Sequence, residues 1–391
     1  MKINVLLPHF GLSGGIRSVV EITNRLVDRG HNVTIITSHI APTMPHSIMG
    51  SLRTVCASGL GTVSRVSQTL DWLPVKADKQ KILHMEPRFD RMLERWIPEA
   101  DCTIATAWET AYPVATLSES KGQKFYFVQH YEIWPVWDDS DCWEEASALD
   151  GRPSVNMTKV TPDDPHLQSY KKLVDESYEL SLDLIITSEW EEDVLDELGH
   201  EHCGKVKYGI DFDTFYPDLN VDDDDDPTIL ALYRNSREKG DEQAIESFKR
   251  LHEERPDVNY LMFGTKERPV IPDFVEFHED PSQENIRRLY SQADIFVYPS
   301  WVEGYGMPPM EAMACKTAVV STDVGAVREY SPEKSVKFIP ARQTVPIVTA
   351  VKNLLDNPER VERMKGQCHE YIQQFTWDNA TDQFENILID R

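Results

Sequence analysis

Two acidic side chains eight residues apart could act together on one ligand. Glu303 and Glu311 are the first and last residues of the sequence E-G-Y-G-M-P-P-M-E, which follows an apolar strand predicted at residues 295–298. Because prolines are typical of the first turn of a helix, the pattern predicts Glu303 on a loop and Glu311 about one turn inside the helix. Both carboxylates could then accept hydrogen bonds from the hydroxyls of one ligand.

The backbone of the same loop favours an anion. Gly304 and Gly306 let backbone N–H groups approach a ligand closely, and the N-terminal end of the following helix attracts negative charge. Pro308 and Pro309 have no N–H, so the predicted donors are the backbone N–H groups of Gly306 and Met307. A phosphate-binding loop flanked by two carboxylates is the arrangement that would bind a nucleotide sugar. Two solvated glutamates on an ordinary turn are the alternative.

A second group of residues supplies positive charge. Residues 233–240 read Y-R-N-S-R-E-K-G and lie between a predicted strand and a predicted helix, where open α/β sheets bind their ligands. Arg234 could bind phosphate oxygens through two parallel N–H bonds, and Lys239 could act as a point charge. Solvated loop cations are the alternative.

The composition excludes several other functions. The 391 residues carry 40 basic and 66 acidic side chains, a formal charge of −26. A field of this sign repels polyanions, so nucleic acid is not an expected partner. Six cysteines without a Cys-x-x-Cys pair, and no apolar run long enough to span a bilayer, predict a cytoplasmic protein with reduced thiols. The excess of carboxylates fits a halophilic source or an ordinary acidic protein equally well.

Alternating strands and helices must position these residues. A strand at 3–7, a helix capped by Ser13 and a strand at 33–37 form a βαβ unit with parallel strands. Further strands are predicted at 102–106, 125–129, 184–187, 228–233, 259–263, 295–298 and 318–321. Helices of the second half are predicted at 242–253, 285–291, 309–315, 345–356, 359–373 and 377–389.

A break rich in aspartate at residues 206–226 separates the two halves. The predicted fold is therefore α/β, with two Rossmann-like domains whose parallel sheets face each other across a cleft. Residues 1–208 form the first domain, and residues 209–375 form the second, which carries the predicted nucleotide-sugar site. We expect the active site between them.

These residues together resemble the signature of the retaining glycosyltransferases of family 4, which adopt the GT-B fold. The resemblance rests on Arg234 and Lys239, five apart after a strand, and on Glu303 and Glu311. It extends to Gly14-Gly15 after the first strand, to residues 206–217, and to Phe375-Thr376-Trp377. In the family the first domain, here residues 1–208, binds the acceptor, and the last helix, here residues 376–391, returns to that domain. Tyr305 stands where the family more often has Phe, and Ile-Arg-Ser follows Gly15 where it often has an acidic and then a basic residue.

The resemblance implies a role for each matching residue. Arg234 and Lys239 would bind the donor diphosphate, and Glu311 would bind the ribose hydroxyls. Glu303 would bind a hydroxyl of the transferred sugar. The other donor-binding residues would be Gly15, Tyr305, Gly306 and Met307. Neither a metal nor another cofactor is expected, because the Arg and the Lys neutralise the leaving diphosphate.

Two residues of the first domain extend this set. The segment after strand 125–129 resembles the part of the family that reaches the donor sugar. His130 would bond to a sugar hydroxyl as a catalytic residue beside Glu303, Arg234 and Lys239, with a packing role as the alternative. Glu132 could orient the donor or the acceptor.

The expected reaction moves a hexose from a nucleotide-diphosphate sugar to a glycan or lipid-linked glycan, in cell-surface polysaccharide synthesis or protein glycosylation. A sugar-nucleotide epimerase of the same fold, or a non-catalytic partner that only binds the nucleotide sugar, are alternatives. A dehydrogenase is disfavoured because residues 11–15 lack the Gly-x-Gly-x-x-Gly spacing.

Residues 41–100 have eight basic and six acidic side chains and several aromatics, Trp72 among them. They either cover the first sheet or contact a lipid-linked acceptor at the inner face of the membrane.

Overall fold

The computed structural model of the chain describes residues 1–9, 11, 13–40, 74–84, 94–219, 226–264 and 270–391. These residues form two units, unit 1 with residues 1–208 and 377–391 and unit 2 with residues 209–376. Most of the segment predicted to cover the sheet or contact a lipid-linked acceptor, Trp72 included, lies outside the described residues. Lys76 of that segment is described and forms an ion pair with Asp28 at 2.5 Å.

Unit 1 contains a seven-stranded sheet in which every pair of neighbouring strands is parallel. Its strands are β1 (Lys2–Leu7), β2 (Asn32–Ile40), β3 (Asp78–His84), β4 (Cys102–Ala105), β5 (Gln123–Phe127), β6 (Asp183–Ile186) and β7 (Gly204–Lys205). They are arranged in the order β3-β2-β1-β4-β5-β6-β7. The central strands are apolar and buried along their length, as expected for a parallel sheet with helices on both faces.

Helices connect these strands. They are α1 (Gly14–Asp28), α2 (Trp108–Ala115), α3 (Trp134–Trp137), α4 (Ser140–Ala148), α5 (Pro153–Asn156), α6 (Pro165–Tyr178) and α7 (Glu189–Leu198). The predicted cap of α1 is confirmed, since the Ser13 hydroxyl accepts a hydrogen bond from the backbone N–H of Ile16. This bond satisfies one of the N–H groups that a helix leaves unpaired at its start.

Unit 2 contains a six-stranded sheet, again parallel throughout. Its strands are β8 (Thr228–Tyr233), β9 (Asn259–Gly264), β10 (Val275–Glu279), β11 (Ile295–Tyr298), β12 (Ala318–Thr322) and β13 (Lys337–Ile339), in the order β10-β9-β8-β11-β12-β13. Its helices are α8 (Asp241–Glu254), α9 (Gln283–Gln292), α10 (Met307–Ala314), α11 (Thr344–Leu355) and α12 (Pro358–Ile372). Strands β8 and β11 are neighbours, so the loops that follow them are adjacent.

The last helix, α13 (Trp377–Ile389), belongs to unit 1. It packs on α1 and contacts β7. In the turn between α1 and β2, Arg29 pairs with its Glu385 at 2.7 Å and His31 contacts the same carboxylate. Trp377, the first residue of this helix, is buried against Tyr208. Unit 1 is thus assembled from two separate stretches of the chain.

The prediction of two parallel-sheet α/β domains is confirmed. Strands β8 and β11 and helix α13 have the predicted bounds, and the other predicted elements differ by about three residues at most. Strands β3, β7, β10 and β13 and helices α2 to α7 were not predicted. Strand β5 ends at Phe127 instead of Gln129, so His130 lies in the loop beyond the strand. Within the described residues no helix is long and apolar enough to cross a bilayer.

A glycine turn before β5 offers a test of this packing in unit 1. Gly122 has φ 74°, and a Cβ at this position would overlap the carbonyl oxygen of Asp101. Gly199, at the end of α7, has a similar φ of 80°, but no atom lies within 4 Å of a Cβ built there. We expect Gly122→Ala to lower the free energy of unfolding by roughly 3 kcal/mol, from backbone strain and overlap together. Gly199→Ala should cost only the strain, about 1 kcal/mol.

Urea unfolding of both variants, followed by tryptophan fluorescence, measures the difference. Equal losses of stability in the two variants would show that the contact at Gly122 is not close.

Candidate active site

One ion-pair group, with a buried carboxylate and two partly exposed cations, joins two loops at the carboxyl end of the unit 2 sheet. Arg234 directly follows β8, Lys239 ends the 3-10 turn Arg237–Lys239, and Glu303 lies between β11 and α10. Arg234 Nη2 lies 2.8 Å from Glu303 Oε1, and Lys239 Nζ lies 3.2 Å from Glu303 Oε2. Each carboxylate oxygen therefore faces one cation. The structure brings together three of the residues that the sequence singled out.

Two neutral side chains complete this group. The Tyr298 hydroxyl and the Ser300 hydroxyl each donate a hydrogen bond to Glu303 Oε1, both at 2.7 Å. Ser300 Oγ also accepts a bond from Arg234 Nη2 at 2.5 Å, and the guanidinium carbon lies 5.1 Å from the centre of the Tyr298 ring. Sequence reasoning missed both residues. Their position at the carboxyl end of β11 is the signal that could have found them.

Burial and charge act in opposite directions on these groups. Glu303 is only 8% exposed. Burial alone would raise the pKa of Glu303, but the charges of Arg234 and Lys239 outweigh it and hold the pKa well below its usual range. Burial lowers the pKa of Lys239, and the attraction to Glu303 offsets this only in part. The attraction between opposite charges therefore holds the group together around the buried carboxylate.

Asp241 fixes the backbone that carries Arg234. Its carboxylate accepts hydrogen bonds from the backbone N–H of Arg234, at 3.2 Å, and from that of Ser236, also at 3.2 Å. Between them Asn235 has φ 52°, a left-handed conformation that Asn tolerates better than most residues. At Gly240 a Cβ would overlap the carbonyl oxygen of Pro299. Only glycine lets the turn that carries Lys239 lie against the end of β11.

The second predicted carboxylate lies in helix α10, as expected. Gly306 has φ 84° and precedes the helix, whose second and third residues are the two prolines. Glu311 lies inside the helix, and its carboxylate accepts a bond from the Tyr290 hydroxyl at 3.3 Å. Tyr305 stacks on Tyr330, whose hydroxyl donates to the Gly306 carbonyl. These contacts fix the turn that carries the predicted backbone donors, Gly306 and Met307.

His130 of unit 1 lies in an aromatic cluster. It is buried, and its ring centre is 4.4 Å from that of Trp134 and 5.2 Å from that of Trp190. Its Nδ1–H donates to the carbonyl oxygen of Tyr131 at 2.9 Å. These contacts fit the packing role that was the alternative for His130 in the sequence analysis, and they fix the orientation of its imidazole ring.

Gly15 of unit 1 lies close to the loop that follows β5. A Cβ at this position would come within 3.2 Å of Gln129 Oε1. That same oxygen accepts hydrogen bonds from Ser18 and from Tyr208. The start of α1 therefore packs tightly against the residue that precedes His130.

Glu132 belongs to a pair of carboxyl groups in unit 1. Its Oε2 accepts a hydrogen bond from the backbone N–H of Trp108 at 2.7 Å, and the Tyr126 hydroxyl lies at 3.4 Å. Burial raises the pKa of Glu132 well above its ordinary value, and the nearby charge of Glu109 raises it further. Burial also raises the pKa of Glu109, to about 7. Both carboxyl groups therefore keep their protons to a higher pH than a carboxyl group in water does. Sequence reasoning missed Glu109, because its burial depends on tertiary packing.

Two Asp-x-Asp pairs among the described residues, at 139–141 and 211–213, make local hydrogen bonds to the backbone. Asp139 accepts bonds from the N–H groups of Asp141 and Cys142 at the start of α4, and Asp211 accepts one from Asp213. No group of three or more His, Cys, Asp or Glu side chains in the described part of the chain is placed to hold a metal ion.

Comparison with known proteins places this site in a recognised domain. Residues 214–370 match the family model described as glycosyl transferases group 1. The O-antigen chain mannosyltransferase RfbU of Salmonella typhimurium is 30% identical over 118 residues, which cover 30% of this chain and 32% of that protein. The alpha-maltose-1-phosphate synthase of Mycobacterium tuberculosis is 27% identical over 225 residues, covering 46% of this chain and 55% of that one. The chain thus spans between about a third and about half of the length of these relatives.

The fold extends further than the sequence match. The structure of Anabaena HepE in complex with UDP has a TM-score of 0.70, with 12% sequence identity and 100% of both chains covered. The two parallel-sheet units have the fold of the GT-B glycosyltransferases. These findings confirm the resemblance at the level of a group 1 domain and of the fold.

The raised pKa of Glu109 predicts a pH-dependent stability of unit 1. Because the folded state binds this proton more tightly than the unfolded chain does, stability is complete at low pH and decreases as the pH rises from about 4.5 to 7. Glu109→Gln removes this titration. Relative to the wild type, it should gain on the order of 2 kcal/mol between pH 5 and pH 8, or roughly 5 °C in melting temperature.

Calorimetric melting temperatures from pH 5 to 8 measure the two profiles. Glu119→Gln, at an exposed carboxylate of the same unit, should keep the wild-type slope. Parallel profiles for the wild type and Glu109→Gln would contradict the assignment.

Proposed function

We propose that the chain is a retaining, metal-independent glycosyltransferase of family 4. It would transfer a hexose from a nucleotide-diphosphate sugar to a glycan or lipid-linked glycan. The observation that carries the proposal is the group of Arg234, Lys239 and Glu303 at the carboxyl ends of β8 and β11. The group 1 match over residues 214–370 and the mannosyltransferase among the relatives support it.

The cations act on the leaving group in this proposal. Arg234 and Lys239 bind the two phosphates and stabilise the negative charge that develops as the bond to the sugar breaks. Both side chains reach the same carboxylate of Glu303, so the two charges lie close enough together to act on one diphosphate. The backbone N–H groups of Gly306 and Met307 add partial positive charge from the N-terminal end of α10. Anabaena HepE, which shares the fold, was crystallised with UDP, a nucleoside diphosphate of the required kind.

The carboxylates hold the hydroxyls of the donor. Glu303 accepts a bond from the transferred sugar, and Glu311 accepts bonds from the ribose. Tyr305 lines the donor site. Retention without a protein nucleophile follows from attack on the same face that the diphosphate leaves, with a phosphate oxygen taking the proton of the acceptor. Positioning and electrostatics are then the contributions of the protein.

Unit 1 contributes three residues in this proposal. His130 bonds to a sugar hydroxyl, with its ring orientation set by the Nδ1–H bond to Tyr131. Glu132 orients the donor or the acceptor. Gly15 permits close approach of the backbone. The reaction belongs to cell-surface polysaccharide synthesis or protein glycosylation, in the cytoplasm or at the inner face of the membrane.

Removing Arg234 should weaken the binding of donor and of free nucleoside diphosphate alike. We expect Arg234→Ala to slow transfer on the order of 10² to 10³-fold, because one of two charges on the leaving group is lost. Arg237 is an exposed cation in the same turn, and its guanidinium lies over the Trp301 ring. Arg237→Ala removes this cation. This control should keep nearly normal activity.

The measurement has two steps. A thermal-shift screen with UDP, GDP, ADP and their sugars identifies the donor, since a ligand that binds the folded state raises its melting temperature. Transfer from that donor is then measured for both variants. Unchanged kinetics in Arg234→Ala would contradict the role of Arg234. Binding without turnover would favour a non-catalytic partner, and epimerised donor without an acceptor would favour an epimerase.

Transfer should also persist in the presence of a chelator. Because two cationic side chains neutralise the leaving diphosphate, 5 mM EDTA, about a thousandfold above the enzyme, should leave the rate within about twofold of its original value. Loss of activity in EDTA that Mg²⁺ or Mn²⁺ restores would contradict metal independence.

A further inference from the structure

Both cations of the proposed donor site are already bonded to Glu303. The carboxylate receives four contacts, from Arg234 and Lys239 at 2.8 and 3.2 Å and from Tyr298 and Ser300 at 2.7 Å. An incoming diphosphate must therefore compete with a carboxylate of this chain for the same two cations.

The charge around this group is unfavourable to a free polyanion. Glu238 is buried, and its Oε1 lies 3.9 Å from Lys239 Nζ. Asp241 is buried as well and accepts the backbone bonds of the Arg234 loop. Two cations thus stand among three carboxylates. At low dielectric these nearby negative charges oppose a phosphate strongly.

Glu303 cannot easily move aside when a diphosphate enters. Tyr298 and Ser300 hold its Oε1, and both belong to the end of β11 or the turn directly after it. Once the cations turn to phosphate, Glu303 loses two charged donors while it stays buried. A buried carboxylate without enough donors is costly, so a replacement donor decides how stable the complex is.

Only one of the two nucleotide ligands supplies that replacement. The sugar of an intact donor carries hydroxyls that can donate to Glu303, whereas the nucleoside diphosphate left after transfer has none at this position. We propose that Glu303 is an internal counter-anion for Arg234 and Lys239. Because of it, the site binds the nucleotide sugar more tightly than the nucleoside diphosphate that remains after transfer. This inference rests on the proposed function. Its consequence is weak inhibition by the product and rapid release of it.

The test measures binding of inorganic pyrophosphate, which needs no knowledge of the base or the sugar. Glu303→Gln removes the charge and keeps the size of the side chain. By isothermal titration calorimetry at low salt, this variant should bind pyrophosphate on the order of 10-fold more tightly than the wild type. Circular dichroism checks that it is folded.

Glu238→Gln gives an independent variant, because it removes a neighbouring charge and keeps both ion pairs of Glu303. It should tighten pyrophosphate binding about threefold. Glu242→Gln, at an exposed position of α8, is the matched control and should change binding by less than about twofold, because water and salt screen its charge.

The nucleotides then test the discrimination itself. In the wild type the nucleotide sugar should bind more tightly than its nucleoside diphosphate, and in Glu303→Gln the ratio of the two affinities should fall about tenfold towards one. Pyrophosphate binding that is unchanged or weaker in both Glu303→Gln and Glu238→Gln would overturn the assignment of Glu303 as a counter-anion. Tighter pyrophosphate binding in a protein that transfers no sugar would support the counter-anion and refute the proposed function.

Discussion

The attraction between Glu303 and its two cations sets the requirements for the surrounding part of unit 2. A carboxylate that is 8% exposed is stable as an anion only if charged donors reach it. Arg234 and Lys239 come from the loop after one strand and Glu303 from the loop after its neighbour, so the register of β8 and β11 decides whether the three can meet. Asp241 and Gly240 also help the two cations to reach Glu303, because they shape the turn between Arg234 and Lys239.

The parallel sheet explains why these loops carry the chemistry. All six strands of unit 2 run in one direction, so every strand ends at the same edge. A buried apolar strand cannot carry ion pairs along its length, whereas the residues just beyond it can reach both solvent and one another. The unusual backbone angles of Asn235, Gly240 and Gly306 lie in the loops at this edge.

The sequence was sufficient for features that depend on neighbours along the chain. Apolar runs predicted the buried strands, and spacing singled out Arg234, Lys239 and Glu303. The strands that were missed are polar and lie at or near sheet edges. Val275–Glu279, for example, is buried only at its first residue and partly covered at two others, so it has no continuous apolar run. Tyr298 and Glu109 were missed for another reason. An aromatic residue at the end of a strand resembles core, and the pKa of a glutamate depends on which distant residues cover it.

The position of α13 has a consequence for biosynthesis. Unit 1 needs this helix beside α1, but the ribosome makes it only after the whole of unit 2. The sheet of unit 2 can form from an uninterrupted stretch of nascent chain. Residues 1–208 of unit 1 are synthesised earlier, but unit 1 is complete only when α13 is made. Unit 2 is therefore free to mature first, although its first residue follows more than two hundred others. Until α13 has been synthesised, the face of α1 that it covers stays exposed to solvent.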